Sequence, residues 1–343
     1  MCGVLRAEAL KKAVRRAGAL ISSRRGSESE NEDAKEIVAD FRSAHAYPLL
    51  SVTNHVRNRA MKVSTDAIVA QRMKRLPTIL DKLERHPNMV VTTMQDFGGC
   101  RVILGSVEQV LDLRSDLKGA ARAKNKIVRE YDYIYGPPGP RESGYRGIHL
   151  IFDYQATKVV YHGYRVELQI RTQLQHSWAT AVETMDLFSG TELKYSKGDP
   201  HIRRYFTVVS SLMASAEGTP LVDPSGPSVH DLRVELKKLD EEHAVLNRLS
   251  GYTSVVNEHA QSSRRSFLTL ELDRIAALLQ VTVHESQARA EDRLDELEAR
   301  EDSNLDVVLV GIKQVGQLQA AYPNYFADTS MFTDFVYDQM RRA

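Results

Sequence analysis

The octet RVELQIRT, residues 165–172, leaves little freedom in how its surroundings fold. In an extended strand, alternate side chains point to opposite faces. Val166, Leu168 and Ile170 then form one apolar face, which belongs to a core. Glu167, Gln169 and Arg171 form the other, an acid, an amide and a cation in a row. Taken alone, the octet is equally consistent with a strand whose polar face meets solvent.

Neighbouring segments narrow the choice. KVVYHGY precedes the octet and IHLIFDY precedes that, so strands and a hairpin are expected there, with further strands at GGCRVILG and YDYIYG. Apolar residues recur at helical spacing between Ala34 and Gln71, with Pro48 as the break between two helices. Pro77 is comfortable in a first helical turn, so a helix is expected from there to just before Pro87. Arg72 and Lys74 then lie just before a helix N-terminus and Lys82 lies within the helix, a setting that favours anions. LQHSWATAVETMDLF and HIRRYFTVVSSLMASAE read as helices.

Two other stretches carry chemistry-bearing residues. In DFGGCR, Asp96 precedes a Gly-Gly pair that enters an apolar strand. A carboxylate there can hold Mg²⁺ while a phosphate approaches bare backbone, although an ordinary turn reads the same way. In GPRESGYRGIH, Arg141 could meet a phosphate and Tyr145 offers a face on which a base could stack. A packed tyrosine and a hydrogen-bonded structural histidine, His149, are the plainer alternatives. Cys100 reads as a small core residue, and two cysteines make neither a disulfide framework nor a zinc site.

Charge is divided unevenly. Residues 228–343 carry 13 Lys/Arg against 20 Asp/Glu, so the first 227 residues hold a net charge of +8 within an overall +1. The first two-thirds suit an anionic ligand. No apolar run approaches the length of a membrane span, and a cytoplasmic protein is expected. Four parts are expected: residues 1–33 as a peripheral basic segment and linker, 34–222 as the main domain, 223–230 (around DPSGPS) as a linker, and 231–343 as an acidic α+β module.

The order QRMKRLPTILDK, DFGGCRVI, YDYI, PRESGYRGIH, VELQIRT resembles the synthetase domain of RelA/SpoT-type alarmone synthetases, small and toxic small members included. The resemblance covers roughly residues 34–215. It implies an α+β fold with a mixed, mainly antiparallel sheet flanked by helices, of the nucleotidyltransferase-like kind, here followed by a smaller C-terminal α+β module. It also implies a Mg²⁺-dependent transfer of pyrophosphate from ATP to the ribose 3′-hydroxyl of GDP or GTP. By the same resemblance Arg72, Lys74 and Lys82 would grip the ATP phosphates, with Arg101 in support. Asp96 and Glu167 would be the catalytic and metal-binding carboxylates. Arg141, Tyr145, His149, Gln169 and Arg171 would bind or orient the acceptor.

With only about 33 residues ahead of the synthetase region, no hydrolase activity is expected. The DYIYGPPGPRESGYR stretch is longer and richer in proline than the usual loop, which bears on acceptor choice. Two other readings stay open. One is a toxin-like member that modifies the tRNA 3′ end or makes adenosine alarmones, with Lys194, Lys197, Arg203 and Arg204 on a basic face. The other is a non-catalytic nucleotide-binding regulator. A homo-oligomer is possible in such a family, and the acidic module could bind a regulator or the synthetase domain itself.

Overall fold

Residues 165–172 form strand β5, and the expected alternation is realised. Val166, Leu168 and Ile170 are fully buried, while Glu167 and Gln169 are partly exposed. A computed structural model describes residues 2–120, 125–155, 158–189, 199–223, 225–247, 249, 267–273, 278–300, 302, 305–311 and 329–343. Lys194 and Lys197 lie outside the described residues.

β5 is the centre of a five-stranded sheet with β1 (Ile68–Met73), β2 (Gly98–Leu104), β3 (Asn125–Asp132) and β4 (Ile148–Tyr154), in the order β1-β2-β5-β4-β3. β2 and β5 run parallel and the other neighbours antiparallel. β4 and β5 form the expected hairpin. The architecture is α+β, a mixed and mainly antiparallel sheet flanked by helices.

β1 is a departure from the sequence expectation, which extended the helical region to Gln71. Helices α2 (Glu28–Ala44) and α3 (Ala46–Val63) occupy most of that span, with Pro48 in the first turn of α3. The segment IVAQRM then forms an edge strand paired with β2. Helix α4 (Leu76–Arg85) keeps Pro77 in its first turn, as expected.

Residues 1–33 are not peripheral. Helix α1 (Cys2–Ser23) buries Val14, Ala17 and Ile21 in the same core as the sheet. A Cβ on Gly18 would stand 2.7 Å from Val91 Cγ1, so only glycine permits this approach of the helix. Nor is SSRRGSESENED a linker. Ser27 caps α2 through a reciprocal bond pattern with Glu30, so the helix begins inside that polar run.

The boundary at 223–230 also differs from expectation. It is a short turn, after which Ser228 and Asp231 form a capping box that starts α8 (Val229–His243). Leu232, Leu236 and Leu239 of α8 and Phe332 and Val336 of α10 (Ser330–Arg341) share one core with α6 (Gln173–Ser189) and α7 (Pro200–Ala216). The sheet β7-β6-β8 (Leu278–His284, Phe267–Asp273, Leu305–Gly311) and helix α9 (Gln287–Glu298) make a smaller cluster around Leu294, Leu297 and Val307.

If α1 belongs to the core, Ile21→Ala should lower unfolding free energy by about 2–3 kcal/mol, in the lower part of the range for such truncations. Chemical denaturation of the full chain checks this, and a loss near zero would return α1 to the periphery.

Candidate functional site

Sheet register assembles the site. Arg72 on β1 faces Gly99 on β2, and Gly99 faces Glu167 on β5. One pair along, Arg101 faces Gln169, which faces His149 on β4. Arg72, Lys74, Asp96, Gly99, Arg101, Glu167 and Gln169 line a cleft of about 140 Å³. The Cβ direction of Gly99 is open except for Arg72 O at 3.9 Å, so the bare backbone keeps the cleft clear.

Asp96 is the charge centre of that cleft. Its Oδ2 accepts from Lys74 Nζ at 2.6 Å and from Lys82 Nζ at 3.0 Å, the latter reaching in from α4. Burial alone would raise its pKa, but the two lysines more than offset this and hold it below the usual carboxylate range. Lys74 is moved down by burial, against the pull of Asp96. Oδ1 of Asp96 is buried with no hydrogen-bond partner. A divalent cation fits that orphaned lobe. Among the described residues, no group of three or more His, Cys, Asp or Glu could hold a metal by itself. Asp96 and Glu167 would therefore share the ion with phosphate oxygens and water, the usual manner for Mg²⁺.

Glu167 is held in a closed hydrogen-bond circuit. Its Oε1 lies 3.0 Å from His149 Nδ1, and its Oε2 accepts from Gln169 Nε2 at 3.1 Å. His149 Nε2 lies 2.5 Å from Tyr145 Oη. Arg171 Nη2 donates to Tyr145 Oη at 2.5 Å and to Gln169 Oε1 at 3.0 Å. An ionised carboxylate only accepts, so Nδ1 carries the imidazole proton and Nε2 accepts the tyrosine hydroxyl. Burial would raise the Glu167 pKa, but the bonds from His149 and Gln169 bring it below its ordinary value.

Arg72, Arg101 and Gln169 also border a second, larger cavity of about 670 Å³, lined further by Arg141, Tyr145, His149, Arg171 and Trp178. Tyr145 is half-buried. The Arg171 guanidinium carbon lies 4.8 Å from its ring centroid, so that cation covers part of the tyrosine surface. Arg141 lies over Tyr133 at 4.7 Å and donates to its hydroxyl at 2.8 Å. The structure thus brings together all eleven residues singled out from the sequence. It adds Tyr133, which meets both Tyr145 and His149 edge-on. The YDYI segment contains it, but strand periodicity says nothing about which tyrosine turns inward.

Cys100 is buried beside this cleft, and burial pushes its thiol up to about 12, so it is a core residue and no nucleophile. Of the basic face, Arg203 and Arg204 line the large cavity, and Arg204 is paired with Glu235 of α8 by two bonds of 2.7 and 2.8 Å.

Residues 71–187 match the family described as a region found in RelA / SpoT proteins. The chain carries a RelA/SpoT-type domain. Uncharacterized proteins of Mycobacterium bovis and Mycobacterium tuberculosis are 28% identical over 157 residues, covering 45% of this chain and 51% of theirs. The chain thus spans about half the length of these curated relatives. Small alarmone synthetase 1 of Bacillus subtilis, solved with its product pppGpp, is 25% identical over 52% of this chain and 92% of its own, with a TM-score of 0.44. Small alarmone synthetase 2 of the same organism is 18% identical over 52% and 94%, also with a TM-score of 0.44. All eleven site residues fall within the RelA/SpoT match.

Gly144 of the RelA/SpoT domain holds the tyrosine loop in place. Its φ is +93°, its carbonyl accepts from Ser210 Oγ at 2.5 Å, and a Cβ would meet Ser210 Cβ at 2.8 Å and Trp178 Cζ2 at 3.0 Å. Gly144→Ala should cost about 2–3 kcal/mol of stability through backbone strain and overpacking. Thermal unfolding of the variant checks this, and an unchanged midpoint would mean that the loop tolerates a side chain.

Proposed function

We propose that the chain is an ATP:nucleotide 3′-pyrophosphotransferase that makes (p)ppGpp from GDP or GTP. The observation that carries the reading is the contact between two spaces. A cationic cleft holding both carboxylates opens beside an aromatic, arginine-lined cavity, with Arg72, Arg101 and Gln169 common to both. A triphosphate donor suits the first and a nucleotide acceptor the second.

In this reading Arg72, Lys74, Lys82 and Arg101 hold the ATP phosphates. Tyr145 stacks on the acceptor base with the face that Arg171 leaves open. Arg141 contacts the acceptor phosphates. The ribose 3′-oxygen attacks the β-phosphorus of ATP. The new O3′–Pβ bond forms as the bond from Pβ to the α,β-bridging oxygen breaks, and AMP leaves. Glu167 takes the hydroxyl proton, oriented for this by His149 and Gln169. Asp96 and Glu167 would hold Mg²⁺, which when bound would supply charge neutralisation at the phosphates. Positioning and electrostatics then carry the rate, with no covalent enzyme intermediate. ATP and guanine nucleotides are cytoplasmic pools, which places the protein there. No described helix is long and apolar enough to cross a membrane.

An RNA acceptor is less well served. Arg204, on the basic face, is already engaged by Glu235.

Purified protein, γ-labelled ATP and Mg²⁺ should transfer label to GDP or GTP. Glu167→Gln should reduce kcat by about 10²–10⁴-fold. Tyr145→Ala should raise the acceptor KM by at least about tenfold. Label on deacylated tRNA would favour the toxin-like reading, label on an adenine nucleotide an adenosine alarmone, and no transfer to any acceptor a regulator.

A further inference from the structure

The donor cleft depends on a short segment, residues 74–76, which joins β1 to α4 and so sets both lysines that hold Asp96. Three contacts clasp it, and two of them come from the C-terminal unit. Arg42, on α2, is buried and donates from Nε to Lys74 O at 2.8 Å. Its Nη2 reaches Glu298 Oε1 at 3.4 Å, and both side chains are only 9% exposed. Arg75 Nη1 donates to Leu305 O, at the start of β8, at 3.1 Å. The Glu298 carboxylate also faces the backbone N–H of Leu76, the first residue of α4, which pulls its pKa down against the effect of burial.

That placement meets a need. The residue at the N-cap of α4 is Arg75, which makes no side-chain capping bond and has no oxygen to offer. The first N–H groups of a helix need an acceptor, and a negative charge there is favoured by the helix dipole. Glu298 brings that charge from more than 200 positions along the chain. It lines neither the 140 Å³ cleft nor the 670 Å³ cavity, so it stands behind the donor site and does not fill it.

We propose that Glu298 and Arg42 are positioning residues for the donor side. Glu298, carried by the C-terminal unit, sets its charge at the start of α4 and holds Arg42, and Arg42 holds the Lys74 carbonyl, so that segment 74–76 keeps Lys74 and Lys82 on Asp96. Donor affinity then depends on docking of α9 and β8, and acceptor affinity does not. Anything that draws α9 away weakens ATP binding selectively. The proposal rests on the pyrophosphotransferase reading for the identity of the donor, while the hold on segment 74–76 stands apart from it. Burial pushes the Glu298 carboxyl above its usual range despite Arg42 and Arg75, so the dock carries a desolvation cost that helps it to release.

The full chain carrying Glu298→Gln tests this. Binding of a non-hydrolysable ATP analogue, measured by calorimetry, should weaken about fivefold to tenfold. GTP binding should stay within about twofold, and transfer assays should show the ATP KM rising with the acceptor KM steady. Hydrogen exchange should rise across residues 74–79. Arg75→Ala, which removes the bond to Leu305, should act in the same direction and serves if Glu298→Gln does not fold. Glu296→Gln, on the exposed side of the same helix, should change neither. Unchanged donor affinity and exchange in Glu298→Gln would overturn the proposal. So would tighter donor binding, which would make Glu298 a competitor of the phosphates, or an equal loss in Glu296→Gln, which would reduce the effect to net charge. If the wild type binds no ATP analogue, the pyrophosphotransferase reading fails, and the exchange at 74–79 still decides the hold on that segment.

Discussion

Parallel pairing of β2 with β5 sets Gly99 beside Glu167 and Arg101 beside Gln169. Side chains in a strand alternate, so this register decides which residues meet the cleft and which meet the core. A slip of one residue would carry Glu167 into the apolar layer of Leu168, Leu150 and Val102 and turn that layer out to water. The apolar half of β5 therefore defends the polar half, because the core cannot keep its burial in any other register. β1 and β4 pair outward from this central couple and bring Arg72 and His149 to the same region of the sheet.

The polar face concentrates charge that burial opposes. Asp96 and Glu167 both stay on the acidic side of their ordinary ranges, and each does so for a different reason. Two lysines hold Asp96, whereas hydrogen bonds from His149 and Gln169 hold Glu167. The first arrangement leaves a buried oxygen unpartnered, and the second leaves none. The orphaned oxygen of Asp96 leaves room for a further partner, whereas the donors on Glu167 fix the direction of its carboxylate. Tyr145 belongs to the same circuit through His149. In the pyrophosphotransferase reading, a base stacking on that tyrosine would press on the network that orients the carboxylate, so acceptor binding and proton transfer would share one set of side chains.

Much of this was legible in the sequence because it is written in period and punctuation. Alternation in 165–172 marks β5 and its polar row, Pro77 marks the start of α4, and the glycines after Asp96 mark the open backbone at Gly99. What stayed hidden depends on contacts between distant elements. IVAQRM is short and follows two helices, so its strand character appears only in pairing with β2. The basic pattern of α1 looks like a free surface helix, yet Gly18 and Val14 seat it against Val91 and the sheet core. The apolar stripes of α8 and α10 give no indication that their partner is the α6/α7 pair. Ser143-Gly144 reads as a flexible pair, but Ser210 and Trp178 close in on Gly144, and Ser210 Oγ donates to its carbonyl.

Charge composition gave a true but incomplete hint about the C-terminal third. An acidic tail facing a basic domain suggests broad electrostatic cover, yet exposed surface pairs contribute little on average. The contacts that matter are few and sheltered: Arg42 with Glu298, and Arg75 with the Leu305 carbonyl. A buried pair costs desolvation, so its yield is geometric definition more than stability. Here the geometry it defines is the turn that aims Lys74 and Lys82. The larger cavity shares Arg72, Arg101 and Gln169 with the cleft but takes most of its lining from the 133–149 stretch, β5, α6 and α7. In the pyrophosphotransferase reading, a docking contact on segment 74–76 would therefore bear on the donor side more than on the acceptor side.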